Sequence, residues 1–420
     1  AGRESVPTPG RGGRRGVGGA SFTTPAGRRA GAAAPGPLSF HQLRWHDFDW
    51  HILLVALSLL VFGLLFLNAM ALADGEQGRQ DVRIDAHLQK LLVGLPFLVL
   101  GILTRARTLR RNAVRLYAAA AALLLAVPII GDVRNNAQRW IETPVFDIQP
   151  SEFAKLALIL VLARVLERNR LERWRDWWPP LLLAAAPMAL VVLQPDLGTA
   201  MTIVPVTLGM LHLAGARTRV LVGFLVLVGL AGFTAWRLDV GFQGYQAERI
   251  ETWQESFDAD SLIEGRRGAA FHQYHARLAI GNGGLLGKGL GRGIANRTGI
   301  LPERDSDSIF AVICEEGGLV GAGALVLLYL LLIVLLMTSA AGLRDRFARL
   351  TVGGVALYFA AHLFFHTGVN LGLLPMTGLT LPLLSTGGSS MLVTFLALGI
   401  ALGLGASHEP ALDRDAFRSY

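Results

Sequence analysis

Long apolar stretches separated by short polar loops recur along almost the whole chain. About ten of them are long enough, or nearly long enough, to cross a lipid bilayer as helices. The predicted spans lie near residues 51–73, 88–104, 113–130, 152–167, 179–193, 199–214, 219–236, 308–338, 350–372 and 387–406. The fourth is the least apolar, and the eighth is long enough to tilt or to extend beyond the bilayer. The pattern predicts an all-α polytopic membrane protein with about ten transmembrane helices.

Arginines occupy alternate loops between these spans, whereas the loop at 74–87 holds two arginines and four acidic residues. The positive-inside rule therefore predicts that both termini are cytoplasmic. It also places one large loop, residues 237–306, on the outer side together with segments 131–151, 194–198 and 373–386. The arginines that set this orientation are Arg105, Arg107, Arg110, Arg111, Arg164, Arg168, Arg170, Arg173, Arg175, Arg217, Arg219, Arg344, Arg346 and Arg349.

The two ends of the chain differ from its middle. Residues 1–46 are rich in Gly, Pro, Ala and Arg and have little to bury, which predicts a disordered basic cytoplasmic tail. Residues 47–406 form the predicted membrane domain, and residues 407–420 a short cytoplasmic tail.

Composition agrees with a membrane protein. Of 420 residues, 52% are hydrophobic and only 17% are charged, whereas soluble proteins carry about 25% charged residues. The net charge of +8 lies largely in the tail and alternate loops, which favours lipid contact over nucleic-acid binding. The single cysteine, Cys314, cannot form an intrachain disulfide.

A carboxylate and an ammonium share one face of the fourth span. Glu152 and Lys155 are three residues apart on a helix that Pro150 and Ser151 begin. Charge at bilayer depth is costly, so the pair should face the protein interior or a wet cavity. A purely structural ion pair is the alternative. The chain has three lysines against 36 arginines, so a lysine at this depth suggests a need for a compact ammonium.

Two further polar segments lie on the predicted outer side. Asp196 stands in a short turn and can cap the helix that follows it. The glycine-rich run at 279–293 carries Lys288 and Arg292 but lacks the residue spacing of a phosphate-binding P-loop. It can bind a diphosphate through backbone N–H groups and cations, or it can be a flexible connector.

The fourth polar group is "LPERDSDSIFAVICEEGGLVG", residues 301–321, which leads into the eighth span. Its acidic residues can be a reaction centre, or Asp305, Ser306 and Asp307 can simply cap the span. In "HTGVNLGLLPMTGLTLPLLSTGGSS", residues 366–390, prolines and glycines interrupt the spans, as backbone lining a cavity does. His362 and His366 lack a third ligand at motif spacing, so a dedicated zinc site is not expected.

These motifs together resemble the SEDS family, the RodA/FtsW/SpoVE group of bacterial cell-wall polymerases. The likeness covers about residues 50–405. It rests on the segments "QRWI…QPSEFAK", "QPDLGTA", "YQAER", "GNGGLLGKGLGRG", "LPERDSDSIFAVICEEGGLVG" and "NLGLLPMTGLTLPLLSTGGSS".

The resemblance implies the SEDS fold and a peptidoglycan glycosyltransferase that polymerises lipid II in the bacterial cytoplasmic membrane. The family's catalytic aspartate falls on Asp307, and its functional Glu and Lys fall on Glu152 and Lys155. The chain departs from the family pattern at Asp305, where His is usual, and at Thr386, where Tyr is usual. Asp305 is therefore expected to modify Asp307. The other expected site residues support the reaction or bind diphosphate (Asp196, Arg249, Lys288, Arg292 and Arg304) or line the cavity (His366, Asn370 and Ser385).

Such an enzyme needs a general base for the acceptor hydroxyl and cations for the leaving diphosphate. No tightly bound cofactor is expected, although a divalent cation, Mg or Mn, near Asp307 can share the charge. Expected partners are lipid II, the nascent glycan strand, a class B penicillin-binding transpeptidase and other elongation or division proteins. The alternatives are a flippase or transporter of the lipid-linked precursor, or an inactive scaffold of the elongation or division complex.

Overall fold

The structure is a computed structural model of the chain. It describes residues 1–2, 45–134, 137–142, 147–194, 196–237, 244–255 and 269–407. Most of the predicted N-terminal and C-terminal tails therefore lies outside the described residues, as do two stretches of the predicted large loop. The described residues between 45 and 407 belong to one compact unit, which contains all the elements below.

Helices make up nearly all of the described secondary structure. In chain order they are α1 (Trp50–Glu76), α2 (Ile84–Ile102), α3 (Ala106–Ile130), α4 (Pro150–Leu166), α5 (Trp178–Leu193), α6 (Leu197–Leu213), α7 (Thr218–Arg237), α8 (Gly244–Glu255), α9 (Ala269–Gly283), α10 (Ile294–Thr298), α11 (Ile309–Gly342), α12 (Arg346–Asn370) and α13 (Gly388–Ala406). Two short antiparallel strands, β1 (Asp132–Arg134) and β2 (Ala137–Trp140), lie between α3 and α4.

Each predicted span overlaps one helix, from α1 to α7 and from α11 to α13. The largest difference is at α3, which begins at Ala106 rather than near 113. Its first turns carry arginines. The long side chains of arginines reach water, so these turns can extend the helix beyond the apolar layer.

Seven stretches of described helix are long and apolar enough to cross a membrane: α1, α2, α3, Trp174–Leu193 (which contains α5), α11, α12 and α13. α6 and the first part of α7 are apolar but shorter. α4 has 17 residues and buries Glu152 and Lys155. The protein is thus an all-α, multi-pass membrane protein.

The centre of the bundle is formed by α4, α12 and α13, whose residues are buried along most of their length. α13 packs directly against α2 at glycines. A Cβ atom on Gly399 would overlap the carbonyl oxygen of Leu98, and one on Gly403 would overlap that of Ile102. Small residues four apart let two helix backbones touch, which is how helices associate in membranes without a hydrophobic drive.

The arginine-rich loops meet at one end of the bundle. Arg110 donates to both carboxylate oxygens of Asp345, at 2.5 and 2.6 Å, and pairs with Glu167 at 2.8 Å. Arg346 donates to the carbonyls of Asn169 and Ala214, at 3.2 and 2.9 Å. Loops that the charge pattern assigns to the same side of the membrane therefore contact one another. Which side they face stays a prediction.

The contact between α2 and α13 predicts a sharp difference between two glycine substitutions. Gly399→Ala should lower the free energy of unfolding by about 1–3 kcal/mol, because the added methyl meets backbone that must shift. Thermal unfolding of the detergent-solubilised protein measures the change. Gly223→Ala is the control, since nothing lies within 4 Å of a Cβ atom at that position of α7. Equal melting temperatures for the two variants would contradict the packing described here.

Candidate functional site

Residues 302–308 form a tight turn before α11, called here the Asp307 turn. The N–H groups of Ser306 and Ser308 both donate to the carbonyl of Glu303, at 3.2 and 3.0 Å. Glu303 has φ of 44°, in the left-handed region that side chains rarely adopt. The surrounding structure therefore has to hold the turn in this shape.

Two residues predicted to line the cavity hold the backbone of this turn. Asn370, at the end of α12, donates to the carbonyl of Asp307 at 3.0 Å. The Ser385 hydroxyl donates to the carbonyl of Ser306 at 2.7 Å. Residues 371–387, between α12 and α13, are called here the 371–387 loop. This loop and the end of α12 thus hold the turn on one side.

Asp307 itself is half-buried beside the same loop. A Cβ atom on Gly378 would lie 3.3 Å from a carboxylate oxygen of Asp307, so a glycine there lets the loop approach closely. Arg249 of α8 donates to the carbonyl of Met376 at 2.8 Å in the same loop, and it acts electrostatically on Asp307. α8, the 371–387 loop and the Asp307 turn therefore meet at this carboxylate.

Burial raises the pKa of Asp307 to about 7, and the negative charge of Glu303 adds to the rise. The positive charge of Arg249 opposes the rise and the charge of Asp305 favours it, while a hydrogen bond from Ser306 lowers the pKa. The start of a helix would favour the charged form. Desolvation outweighs that effect here, and it gives a carboxylate suited to accept a proton near neutral pH.

Asp305 is bound by Thr386. The Thr386 hydroxyl donates to a carboxylate oxygen of Asp305 at 2.7 Å, and the Thr386 N–H donates to the Asp305 carbonyl at 3.1 Å. α11 begins at Ile309 with Ser308 as its N-cap, and the Ser308 hydroxyl lies 2.6 Å from Nε2 of His272 in α9. Asp305 is thus held against the 371–387 loop, and the two departures from the family pattern contact each other.

Glu152 and Lys155 form a buried ion pair at 2.8 Å, with both side chains about 5% exposed or less. The Lys155 ammonium also lies 2.9 Å from Nε2 of His362, whose Nδ1 contacts the carbonyl of Tyr358. Because that ring nitrogen faces a carbonyl, it carries the proton, and Nε2 accepts from Lys155. The ammonium of Lys155 thus has its partners on α4 and α12.

One face of α12 connects this ion pair with the Asp307 turn. Tyr358, His362, His366 and Asn370 are four residues apart, so they line a single side of the helix. His366 contacts the carbonyl of Leu379 through Nδ1 at 2.8 Å. The side chains predicted as separate clusters thus lie along one continuous polar stripe through the bundle.

Asp196 is the N-cap of α6. It accepts from the N–H and the hydroxyl of Thr199, at 3.2 and 2.9 Å, and from the side-chain amide of Gln149 at 3.1 Å. The capping role left open by the sequence is therefore what the structure shows. Since Gln149 directly precedes α4, Asp196 also supports the start of the helix that carries Glu152.

Lys288 and Arg292 are exposed on the glycine-rich loop, which is held against α11. The N–H groups of Lys288 and Gly289 donate to the carbonyls of Glu315 and Glu316, at 2.9 and 3.0 Å. These carbonyls are available because α11 is interrupted at Gly318, with φ of 64° and ψ of −163°. The backbone that carries Lys288 and Arg292 is thus fixed to α11.

Two residues of the site, Glu315 and Glu316, were missed by sequence reasoning. The Glu315 carboxylate accepts from the N–H groups of Ile294 and Ala295, both at 3.0 Å, and Glu316 accepts from the amide of Asn296 at 2.9 Å. Their signal was present, because two adjacent acids inside a membrane span are costly unless they are paired.

Arg304 is buried and points toward α1. Its guanidinium donates to both carboxylate oxygens of Asp74, a third residue missed from the sequence, and to the carbonyl of Asn296 at 2.7 Å. Arg304 was expected to contact diphosphate or to support the site. These contacts favour the second role, because they anchor the Asp307 turn to α1.

No three or more His, Cys, Asp or Glu side chains are placed to hold a metal ion within the part of the chain that the structure describes. The divalent cation expected near Asp307 stays a prediction.

Known proteins resemble this chain in sequence over nearly all of the membrane domain. Residues 49–409 match the FtsW/RodA/SpoVE family, whose description is "cell cycle protein". The peptidoglycan glycosyltransferase MrdB of Escherichia coli K12 is 34% identical over 365 residues, which cover 85% of this chain and 93% of MrdB. Stage V sporulation protein E of Bacillus subtilis is 35% identical over 285 residues, which cover 67% of this chain and 75% of that protein.

Solved structures resemble it as well. A chain from a peptidoglycan synthase complex that coordinates polymerization and crosslinking superposes with a TM-score of 0.71 and 28% identity, covering 89% of this chain and all of that one. The rod shape determining protein RodA of Thermus thermophilus superposes with a TM-score of 0.64 and 27% identity, covering 86% and 97%.

Arg304 and Arg292 should respond differently to loss of charge. Arg304→Met leaves the buried Asp74 carboxylate with Arg79, at 3.2 Å, as its remaining ion-pair partner and should cost about 1–3 kcal/mol of stability. Arg292→Met, at an exposed position, should change stability by less than about 0.5 kcal/mol. Thermal unfolding in detergent compares the two. If both variants unfold at the wild-type temperature, Arg304 does not anchor the turn.

Proposed function

Because the chain belongs to the FtsW/RodA/SpoVE family, we propose that it is a peptidoglycan glycosyltransferase that polymerises lipid II. The observation that carries the proposal is Asp307, a half-buried carboxylate with a pKa of about 7 at the end of the polar stripe. A general base works best when its pKa lies near the working pH. The relatives named as glycosyltransferases support the reaction class.

The proposed reaction is a single displacement. The Asp307 carboxylate takes the proton of the acceptor sugar's 4-hydroxyl, and that oxygen forms a bond to the anomeric carbon of the donor. The bond from this carbon to the diphosphate oxygen breaks, and undecaprenyl diphosphate leaves with the electron pair. An α-linked donor gives a β-1,4 link, so one carboxylate is enough and no covalent enzyme intermediate is needed.

Cations must stabilise the charge that develops on the leaving diphosphate. Lys288 and Arg292 are suited to this because they are exposed on a loop fixed to α11, and Arg249 lies within electrostatic reach of Asp307. Lys155 is engaged by Glu152 and His362, and Arg304 by Asp74, so both act by positioning in this proposal. A divalent cation, Mg or Mn, would add charge to the same group.

We further propose that the reaction takes place at the outer face of the cytoplasmic membrane, for cell elongation or division. The arginine-rich loops at the opposite end of the bundle support this orientation. A class B penicillin-binding transpeptidase is the proposed partner that crosslinks the strands. The structural likeness to a chain of a complex that coordinates polymerization with crosslinking supports it.

Substitution of the base should abolish the reaction. Asp307→Asn should reduce lipid II polymerisation by purified protein by at least about a hundredfold, within the range that general bases contribute. The product is measured as glycan strands on a gel, with no partner protein present. Asp345→Asn, at the arginine-rich end, is the control. Wild-type polymer from the Asp307 variant would refute the assignment. An absence of polymer from the wild type would favour a flippase or scaffold.

The rate should depend on pH through the same carboxylate. Below pH about 7, Asp307 is protonated and cannot accept the hydroxyl proton, so the rate should fall by up to about tenfold per pH unit. His272 is the titratable neighbour on α9, and burial lowers its pKa to about 4. The acid limb of the pH–rate profile near pH 7 therefore reports the titration of Asp307. In Asp305→Asn a negative charge is lost, which lowers the pKa of Asp307 and moves the limb to lower pH. A limb that stays in place would contradict this coupling.

A further inference from the structure

Lys90 of α2 reaches the place where the chain departs from its family pattern. Its ammonium donates to the carbonyl of Thr386 at 3.0 Å. Its stem lies beside the start of α13, where a Cβ atom on Gly388 would be 3.8 Å from two of its carbons. Lys90 is half-buried and is one of three lysines in the chain.

Thr386 therefore bonds in two directions. Its carbonyl accepts from Lys90, while its hydroxyl and N–H both donate to Asp305, at 2.7 and 3.1 Å. A row of hydrogen bonds thus runs from α2 through the 371–387 loop to the Asp307 turn. The row starts from α2, a helix that packs directly on α13.

The two ends of this row, Lys90 and Asp305, carry opposite charges. Asp305 adds a negative charge two residues from Asp307, where repulsion between two partly desolvated carboxylates would push the turn apart. Lys90 brings a positive charge to the residue that binds Asp305. A compact ammonium fits this place, because it meets a single carbonyl rather than a bidentate partner.

We propose that Lys90, Thr386 and Asp305 form a brace, in which Lys90 is a positioning residue that fixes the Asp307 turn and offsets the charge of Asp305. This inference rests on the proposed function for its activity readout. The simpler alternative is that Lys90 only anchors α2 at the membrane surface, as lysines near helix ends do. That alternative predicts no effect on the chemistry at Asp307.

The first test is the steady-state kinetics of lipid II polymerisation. Lys90→Met should lower kcat by about ten- to a hundredfold, because displacement of a catalytic group by about 1 Å has effects of this size, and KM should change little. Lys90→Arg should recover part of kcat, because it keeps a charged donor. Gln89→Met, an exposed neighbour on the same helix, is the matched control and should behave as wild type. A wild-type kcat for Lys90→Met overturns the brace.

A double-mutant cycle separates the brace from general stability. If Lys90 acts through Asp305, then Lys90→Met should cost much less in an Asp305→Asn background than in the wild type. If the fold-losses in kcat of the two single variants simply multiply in the double variant, the coupling is overturned. Should Lys90→Met fail to fold, the cycle is run with Thr386→Val, which removes the hydroxyl and keeps the size of the side chain.

A measurement without substrate keeps the brace testable if the proposed function fails. Labelling of Asp307 by a water-soluble carbodiimide, followed by mass spectrometry across pH, reports its titration. Glu303, Asp305, Arg249 and Ser306 act on this carboxyl directly, and in the brace Lys90 acts on it through Thr386 and Asp305. Lys90→Met should move the labelling midpoint to higher pH, since a positive charge is lost. Asp305→Asn should move it lower, and Gln89→Met should leave it unchanged. A labelling midpoint that is the same in Lys90→Met and in the wild type refutes the brace. Wild-type protein that labels as expected but makes no polymer refutes only the proposed function.

Discussion

The site depends on how a short turn with an unfavourable backbone shape is held in place. Glu303 adopts a left-handed φ of 44°, which a free turn would relax. Arg304 fixes the turn to α1 through the buried carboxylate of Asp74, and Asn370 and Ser385 bind its backbone. The position of Asp307 is therefore set by the contact to its own carbonyl and by those of its neighbours. The same confinement removes water from Asp307 and raises its pKa.

A second constraint comes from the cost of charge inside a membrane bundle. Glu152, Lys155, Glu315 and Arg304 are all buried, and each has a partner: an ion pair, a backbone N–H group or a histidine nitrogen. These pairings join α4 to α12, α10 to α11, and the Asp307 turn to α1. Charged side chains thus act here mainly as links between helices, whereas Lys288 and Arg292 are exposed.

Much of this arrangement follows from the sequence, and the remainder has a clear physical reason. Hydropathy locates the helices because apolar length is a local property, and the family resemblance of the motif around Asp307 predicts which carboxylate is catalytic. The pairing of Arg304 with Asp74 joins residues 230 positions apart, so no local pattern contains it. The contact between Asp305 and Thr386 joins residues 81 positions apart, although both residues stand out as departures from the family pattern. The position of Asp196 allowed a cap, since capping is a local interaction, but it left a supporting role in the reaction open as well.

The break in α11 at Gly318 has a consequence for how this sequence can change over evolutionary time. A Cβ atom on Gly318 would overlap the backbone nitrogen of Gly287, and one on Gly287 would overlap the carbonyl oxygen of Glu316. Both glycines also have positive φ, at 64° and 79°. A side chain at either position would overlap the backbone of the other segment unless that backbone shifts, so a single substitution at either glycine is destabilising. Mutational drift in the glycine-rich loop and in the eighth predicted span is therefore coupled, although the two segments are separate in the chain.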